Sequence, residues 1–474
     1  MIYVDSEIGV LKRLIIHSPD SGLGKVVPSK AQDWLFEDII HLDMARKNEY
    51  DYYVKILLYF LDPEKVRGKI KEIDNPARKR DFYKPGEAAY FNSDKVLDIQ
   101  LLLKDILINK EVRNEIIASI CAIERCSYSQ QQVLKTLDDL DLSKTLISGA
   151  MPDGKMIFAP IPNFIFTRDI GIVINDHLLL NNPAKQARRR ESFIAHNVFY
   201  HHELLADFRQ KLIEITDDEL YFLLEENERH LRTTTLEGGD IMMVAPNNLL
   251  VGISERTTPN AVEKIIQALF SKNVVDKVSV IKIPPKRDFM HIDTVFTQIK
   301  KNIWVLYDRF SKKNAPVNDL VNRFNPPTEE QKVHILQFRK GQSEPVKFEY
   351  LEDLLDSVSQ DDLKADKATE FIYSGGGEFP FSQREQWTDS CNLLALRDGI
   401  VIGYDRNDKT AEVFKEKGFR VIRAADLLDK FEANELSPET LTDTLIMLPS
   451  AELSRARGGS HCMSMPILRE SILK

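Results

Sequence analysis

Short apolar runs broken by polar turns recur along the chain. Four stretches share one order: a polar or acidic residue, an apolar strand, a polar turn and a second apolar strand. They are DIGIVINDHLLLN from Asp169, DIMMVAPNNLLVG from Asp240, DTVFTQIKKNIWVLY from Asp293 and NLLALRDGIVIGY from Asn392. The ND, PNN, KKN and RDG segments between the runs suit tight hairpin turns. After Asp240 a helix-spaced segment, PNAVEKIIQALFSK, leads to VSVIKIP, and after Asn392 KTAEVFKEKG leads to FRVIRA. The pattern predicts repeated ββαβ modules and so an α/β fold. A fifth module is expected from the N-terminal strand VLKRLIIH and the C-terminal MLPSAELSRARGG region.

Two regions break the repeat. From about Leu42 to Leu142 the spacing is helical. Tyr53, Ile56, Leu57 and Phe60 share one face, and LDIQLLLKDILI and EIIASICAI come next at the same period. This predicts a helical insertion, bounded at about residues 42–145, within one catalytic domain spanning 1–474. The second region, Phe324 to Ala368, is charged and holds Pro326, Pro327, Pro345 and the acidic amphipathic stretch LEDLLDSV. It reads as an additional surface insertion.

Composition narrows the function classes. With 474 residues, 43% hydrophobic and 29% charged, the chain is ordinary for a globular protein. A net charge of -9 and no basic stripe argue against nucleic acid as a partner. No apolar run approaches the roughly 20 residues that span a bilayer, so no membrane partner is expected. The N-terminus carries Asp5 and Glu7 and does not read as a secretory signal. Four cysteines in so long a chain are too few for a disulfide framework and point to reduced thiols and a cytoplasmic location. No CxxC or HExxH spacing occurs, so no zinc site is expected. Association into a homo-oligomer is left open.

The candidate chemistry centres on Cys462 in ARGGSHCMSMP. A free cysteine is most often a small buried hydrophobe. Here Gly458 and Gly459 would let the backbone approach a ligand while a strand end presents the thiol. His461 would point to the opposite face of that strand and is assigned a structural role. His291 and Asp293, two residues apart at a strand start, would share a face, with the histidine moving protons. Asp169 and Glu237 open other modules at matching positions. Carboxylates converging on one pocket need a cation between them, and a planar guanidinium fits them bidentately. Gly238, Gly239 and Asp240 read as turn-shaping. Arg188, Arg256 and Arg457 near module ends could clamp an anionic group. Acids at one end and arginines at the other describe a zwitterion with a cationic tail, for which arginine is the simplest match.

These motifs are shared with a family. SEIGVLKRLIIHSP, WLFEDI, PNFIFTRD, ARRRE, LEGGD, GISERTT, MHIDTVFT, REQWTDSCN, YDRN and RGGSHCMSMP occur in order over nearly the whole chain. In them the chain resembles bacterial arginine deiminases of the guanidine-modifying (pentein) superfamily. The resemblance implies a five-bladed pseudo-symmetric α/β propeller with a helical insertion. It implies hydrolysis of L-arginine to citrulline and ammonia with no metal or organic cofactor. Cys462 would attack the guanidinium carbon, and His291 would protonate the departing ammonia and then activate water. Asp169 and Asp293 would grip the guanidinium, and Glu237 would contact substrate and support His291. Asn163, Phe166, Arg188 and Arg256 would hold the rest of the amino acid, with Arg457 at the carboxylate or gating the site. Two departures stand out: the segment from Phe324 to Ala368 has no counterpart, and Ser460 follows the paired glycines where a proline is usual. Amidinotransferases and dimethylarginine hydrolases share the fold and thiol and stay open as alternatives. A non-catalytic binding protein on the same scaffold would be expected to lose the nucleophile or base.

Overall fold

The computed structural model describes residues 2–36, 38–312 and 333–473. Four hairpins form where the pattern predicts them, each closed by two residues. Gly171–Ile174 pairs antiparallel with His177–Leu180, Ile241–Ala245 with Asn248–Ile253, Phe296–Lys300 with Ile303–Leu306, and Leu394–Arg397 with Ile400–Tyr404. Asn175 and Gly399 take the left-handed conformation that such short turns demand. In each of the first two modules a helix comes next, Arg189–His201 or Pro259–Ser271, and returns the chain to a parallel strand, Leu212–Ile213 or Lys277–Lys282. In the third, Leu351–Ser357 leads to Glu370–Tyr373, again parallel to the second hairpin strand. The fourth differs: Thr444–Leu448 lies between Ile400–Tyr404 and Arg420–Arg423, parallel to both.

The fifth module is closed by a different segment from the one expected. Leu11–Ile16 pairs antiparallel with Met465–Arg469, beyond the cysteine, and parallel with Val96–Asp98. The MLPS strand belongs to the fourth sheet instead. Chain termini therefore meet within one sheet, and five sheets of three to five strands result.

The segment from Leu42 is helical through Asp51–Leu61, runs without helix over residues 74–95, forms the strand Val96–Asp98, and is helical again through Ile99–Leu107, Lys110–Ile123, Tyr128–Thr136 and Asp139–Ser148. Polar residues start the last four of these helices: Asp98, Asn109 and Asp138 accept from the first-turn amides, and Ser127 with Gln130 forms a capping box. Gly149 ends the last one in the left-handed conformation. Asp51–Leu61 is buried on nearly every side rather than along one stripe. Even Lys55 lies inside, its charge met by Asp51 and Asp74. No described helix is long and apolar enough to cross a membrane.

The expected surface insertion needs correction. Residues 324–332 lie outside the described residues. From residue 333 onward the segment is built into the molecule: His334–Arg339 pairs with Lys277–Lys282 and with Val346–Phe348. Leu351, Leu354, Leu355 and Val358 pack into the same core cluster as Trp304 and Ile372. The acidic positions between those leucines disguise a helix whose apolar stripe is fully used. Leu354→Ala should cost about 2–5 kcal/mol of unfolding free energy, while Lys347→Ala, on an exposed strand position, should change the denaturation midpoint little. A surface segment would leave both midpoints unmoved.

Candidate active site

The first strand of each module is preceded by a tight turn or a short loop, and each of these carries a polar residue inward. Thr167–Ile170 carries Asp169, Gly238–Asp240 follows Glu237, and Ile292–Thr294 carries Asp293 just after His291. Asn392 precedes Leu394–Arg397, and Cys462 precedes Met465–Arg469. All of these residues are buried. His291 and Asp293 therefore lie on a turn, not on a strand, and so do His461 and Cys462. The alternation argument for their directions does not apply. The pairs are set by turn geometry, which brings His461 behind Asp293 instead of sending it away.

Glycine allows this crowding. A Cβ on Gly239 would lie 2.4 Å from His291 Nδ1, and one on Gly238 would lie 2.0 Å from the Arg168 carbonyl oxygen. A Cβ on Gly459 would lie 2.5 Å from the Asn392 carbonyl oxygen. Two turns and a thiol-bearing loop meet at distances that no side chain at these positions would permit.

The carboxylates are met by cations on every side. Arg188 Nη1 donates to Asp169 Oδ2 at 2.8 Å and to Glu237 Oε2 at 2.9 Å, and its Nε donates to Glu191 Oε2 at 2.9 Å. Arg256 Nη1 lies 3.6 Å from Glu237 Oε1. His291 Nε2 is 3.0 Å from Glu237 Oε2. Asp293 Oδ2 is 3.0 Å from His461 Nδ1 and accepts from the Cys462 thiol at 3.4 Å. His461 Nε2 in turn lies 3.2 Å from Glu7 Oε2, and Arg168 grips Glu7 with both terminal nitrogens at 3.2 and 3.3 Å. Asp293 Oδ1 and Arg188 Nη2 are buried and make no hydrogen bond among the described residues.

Burial opposes charge throughout, and partners decide the outcome. For Glu237, burial raises the carboxyl pKa, but Arg188, His291 and Arg256 bring it far below the usual range. Asp293 is lowered by His461 and His291 against the same penalty. His291 loses solvation, yet Asp169, Glu237 and Asp240 push it up to about 10. Burial together with Asp293, Asp169 and Asp389 drives the Cys462 thiol well above its ordinary value. Without a further cation the pair rests as thiol and imidazolium.

A cavity of about 30 Å³ sits among these groups, room for roughly one water. It is lined by Cys462, His291, Asp169, Glu237, Asn163, Phe166, Arg188, Arg256 and Arg457. Nine of the ten residues chosen from the sequence thus converge, and the tenth, Asp293, lies directly behind the thiol. Arg188 faces carboxylates rather than standing clear for an anion. Arg457 stacks 3.6 Å above the Trp387 ring and donates to its carbonyl at 2.8 Å, between this cavity and an outer one of about 330 Å³. Asp169, Glu237 and His291 offer ligand atoms within 4.8 Å of one another, a grouping able to hold a metal ion. Arg188 already bridges two of the three. Glu7, Arg168, Glu191 and Asn392 also belong to the site, and the sequence reading does not pick them out. All four lie in the shared motifs, but residue type alone does not distinguish them from surface charges or turn residues.

The molecule is thus an α/β protein with a buried, acid-lined thiol site fed by the starts of five sheets. The sequence model of the arginine deiminase family matches residues 130–469. The arginine deiminase of Borrelia garinii subsp. bavariensis is 30% identical over 475 residues, covering 99% of this chain and 98% of that one. The Staphylococcus aureus arginine deiminase is 29% identical over 478 residues, covering 99% of each. Among solved structures, an amidinotransferase from Microseira wollei in the saxitoxin biosynthetic pathway aligns with a TM-score of 0.48 at 12% identity, covering 100% of this chain and 98% of that one. The chain belongs to the arginine deiminase family.

If Glu237 holds His291 charged, the imidazole resonances should titrate near pH 10 in the intact protein. In Glu237→Gln the midpoint should fall toward the ordinary histidine range. Histidine-selective NMR titration reads both, and an unmoved midpoint would remove Glu237 as the cause.

Proposed function

We propose that this chain hydrolyses L-arginine to L-citrulline and ammonia through a covalent amidino-thioether on Cys462. The observation that carries this reading is the pairing of one buried thiol with carboxylates able to grip a guanidinium. Asp293, whose Oδ2 faces the sulfur and whose Oδ1 makes no hydrogen bond among the described residues, and Asp169 are the assigned grips. A bound guanidinium supplies the cation that the thiol lacks and so favours the thiolate, the thiol proton leaving by way of Asp293 Oδ2 and ending on the released ammonia as ammonium. The sulfur then bonds to the guanidinium carbon while a C–N π pair moves onto nitrogen. His291, already protonated, gives its proton to one terminal nitrogen, which leaves as ammonia. The neutral imidazole then takes a proton from water as the oxygen bonds to the same carbon; the C–S bond breaks with its pair returning to sulfur, and the hydroxyl proton passes to that sulfur as the citrulline carbonyl forms. One difficult hydrolysis becomes two easier displacements.

Arg256, Asn163 and Phe166 are assigned to the amino-acid end. Arg188 is assigned there too, once its Nη2 turns to the substrate carboxylate. Arg457, between the inner and outer cavities, is assigned as the gate. Because the inner cavity holds about one water, binding requires Arg457 or its neighbours to move. The same reading takes the five sheets as blades of a five-bladed pseudo-symmetric propeller and residues 42–145 as a helical insertion within one catalytic domain. What supports it is that every blade delivers a site residue from the same place, just before its first strand.

Cys462→Ala should abolish citrulline release, and surviving turnover would end the covalent mechanism. Arg256→Ala should raise KM for arginine far more than for agmatine, which lacks the carboxylate; equal effects in steady-state assays would remove the clamp. His291 must be charged to expel ammonia, so kcat should be sustained below its folded pKa and fall as pH rises through about 10. In Glu237→Gln that alkaline limb should move to lower pH.

A further inference from the structure

One polar contact on the sulfur remains without a role. Asn392 Nδ2 donates to Cys462 Sγ at 3.1 Å and to the Asp293 carbonyl at 3.2 Å, while its Oδ1 accepts from the Cys462 backbone amide at 3.0 Å. We propose that Asn392 is a catalytic residue: its side-chain amide donates to the Cys462 sulfur and holds the thiolate in position for attack. This rests on the reading of Cys462 as the nucleophile.

The neighbours fix which end of the amide faces the sulfur. A flipped amide would set its oxygen against the Asp293 carbonyl oxygen and its NH₂ against the Cys462 N–H, two repulsive contacts. Both amide hydrogens and the oxygen are therefore committed, one of them to the sulfur. The side chain is buried and begins its module just before Leu394–Arg397. Gly459 is what permits the approach, because a Cβ there would lie 2.8 Å from Asn392 Oδ1. Ser460 ties the same loop to the sheet, its Oγ donating to the Ile402 carbonyl at 2.7 Å and accepting from Leu394 N at 3.1 Å. Where the family resemblance leads one to expect proline, a hydroxyl holds the cysteine loop against the asparagine.

The electrostatics make the donor consequential. Asp293, Asp169 and Asp389 all disfavour a negative sulfur, and buried Tyr404 packs against the same loop, donating to the Gly458 carbonyl. His291 lines the cavity with its Nε2 on Glu237, and Arg457 has its Nη1 on the Trp387 carbonyl. The Asn392 amide is the neutral donor that a sulfur among carboxylates keeps throughout. When the thiol proton leaves toward Asp293 Oδ2, the new charge on sulfur falls opposite an N–H already aligned with it, and a hydrogen bond to a charged group is stronger than one to a neutral one.

The test monitors the thiol itself, without substrate. Alkylation of Cys462 by iodoacetamide is measured against pH, read by mass spectrometry on the Cys462 peptide, in the unaltered chain, Asn392→Ala and the near-isosteric Asn392→Leu. Loss of the donor should move the alkylation midpoint up and slow the reaction at fixed pH about tenfold or more. kcat for arginine should fall with KM little changed, and thermal melting shows whether each variant is folded. Unshifted midpoints in folded variants would overturn the proposal. On the unaltered chain, the Asn392 Nδ2 proton resonances should shift with the same midpoint as the thiol, and resonances that stay fixed would also overturn it. If the unaltered chain shows this titration but does not turn over arginine, the substrate reading fails and the thiol contact stands.

Discussion

The structure depends on keeping several carboxylates charged without water. Isolated, each would protonate or drive the turn that carries it outward. Arg188 answers this by reaching three acids from three places: Asp169 from the first module, Glu237 from the second, and Glu191 on the helix that follows it. The pKa of Glu237 falls far below the usual range, while burial still holds that of Glu191 up at about 7. Arg188 works as a cross-link between modules as well as a charge. A second cross-link runs from Arg168 through Glu7 and His461 to Asp293, tying the N-terminal segment to the third module and the C-terminal turn. Ion pairs of this kind contribute little net stability once desolvation is counted, but removing one member leaves a buried charge uncompensated. Their effect is on geometry: five sheets packed through three hydrophobic clusters acquire a common centre.

Most of the fold is legible in the sequence because it repeats. Apolar runs broken by short polar turns locate four hairpins, and helical spacing locates the long segment after Leu42. The failures are physical rather than accidental. The strand that closes the fifth module, Met465–Arg469, pairs with residues at the opposite end of the chain, and no local period encodes a partner that distant. The helix Leu351–Ser357 reads as a surface element because its acidic residues dominate its composition, although its leucines face the core. Lys55 breaks the stripe of its helix because burial of a lysine depends on Asp74, nineteen residues away.

The site is legible by residue type and spacing, but its internal wiring is not. Strand alternation sends His461 away from Cys462, yet both sit on a turn, where successive side chains obey no fixed alternation. Thus His461, to which the sequence assigns only a structural role, bonds the same carboxylate oxygen that the thiol faces. Gly239 reads as turn-shaping, and it is. Its greater consequence is the missing Cβ that lets the His291 ring lie flush against the turn. Such features belong to contacts between modules, which a one-dimensional pattern does not record.

The paired shifts at the centre order the events. A site built for fast thiol chemistry on neutral substrates would lower its cysteine pKa with a resident cation. Here Arg188, Arg256 and His291 are committed to carboxylates and Arg457 bonds backbone carbonyls, so the thiol is left among negative charges. The histidine is charged beforehand by those same carboxylates. The result is a resting state in which the acid is ready and the nucleophile is not. On the proposed reading, a ligand that brings a delocalised positive charge to Asp169 and Asp293 would reverse the balance at sulfur while presenting its carbon there. Selectivity for a guanidinium would then arise from activation as well as from fit. On that reading a neutral molecule of the same shape would bind without favouring the thiolate, and the carboxylates that make the sulfur reluctant would be the groups that recognise the charge able to relieve it.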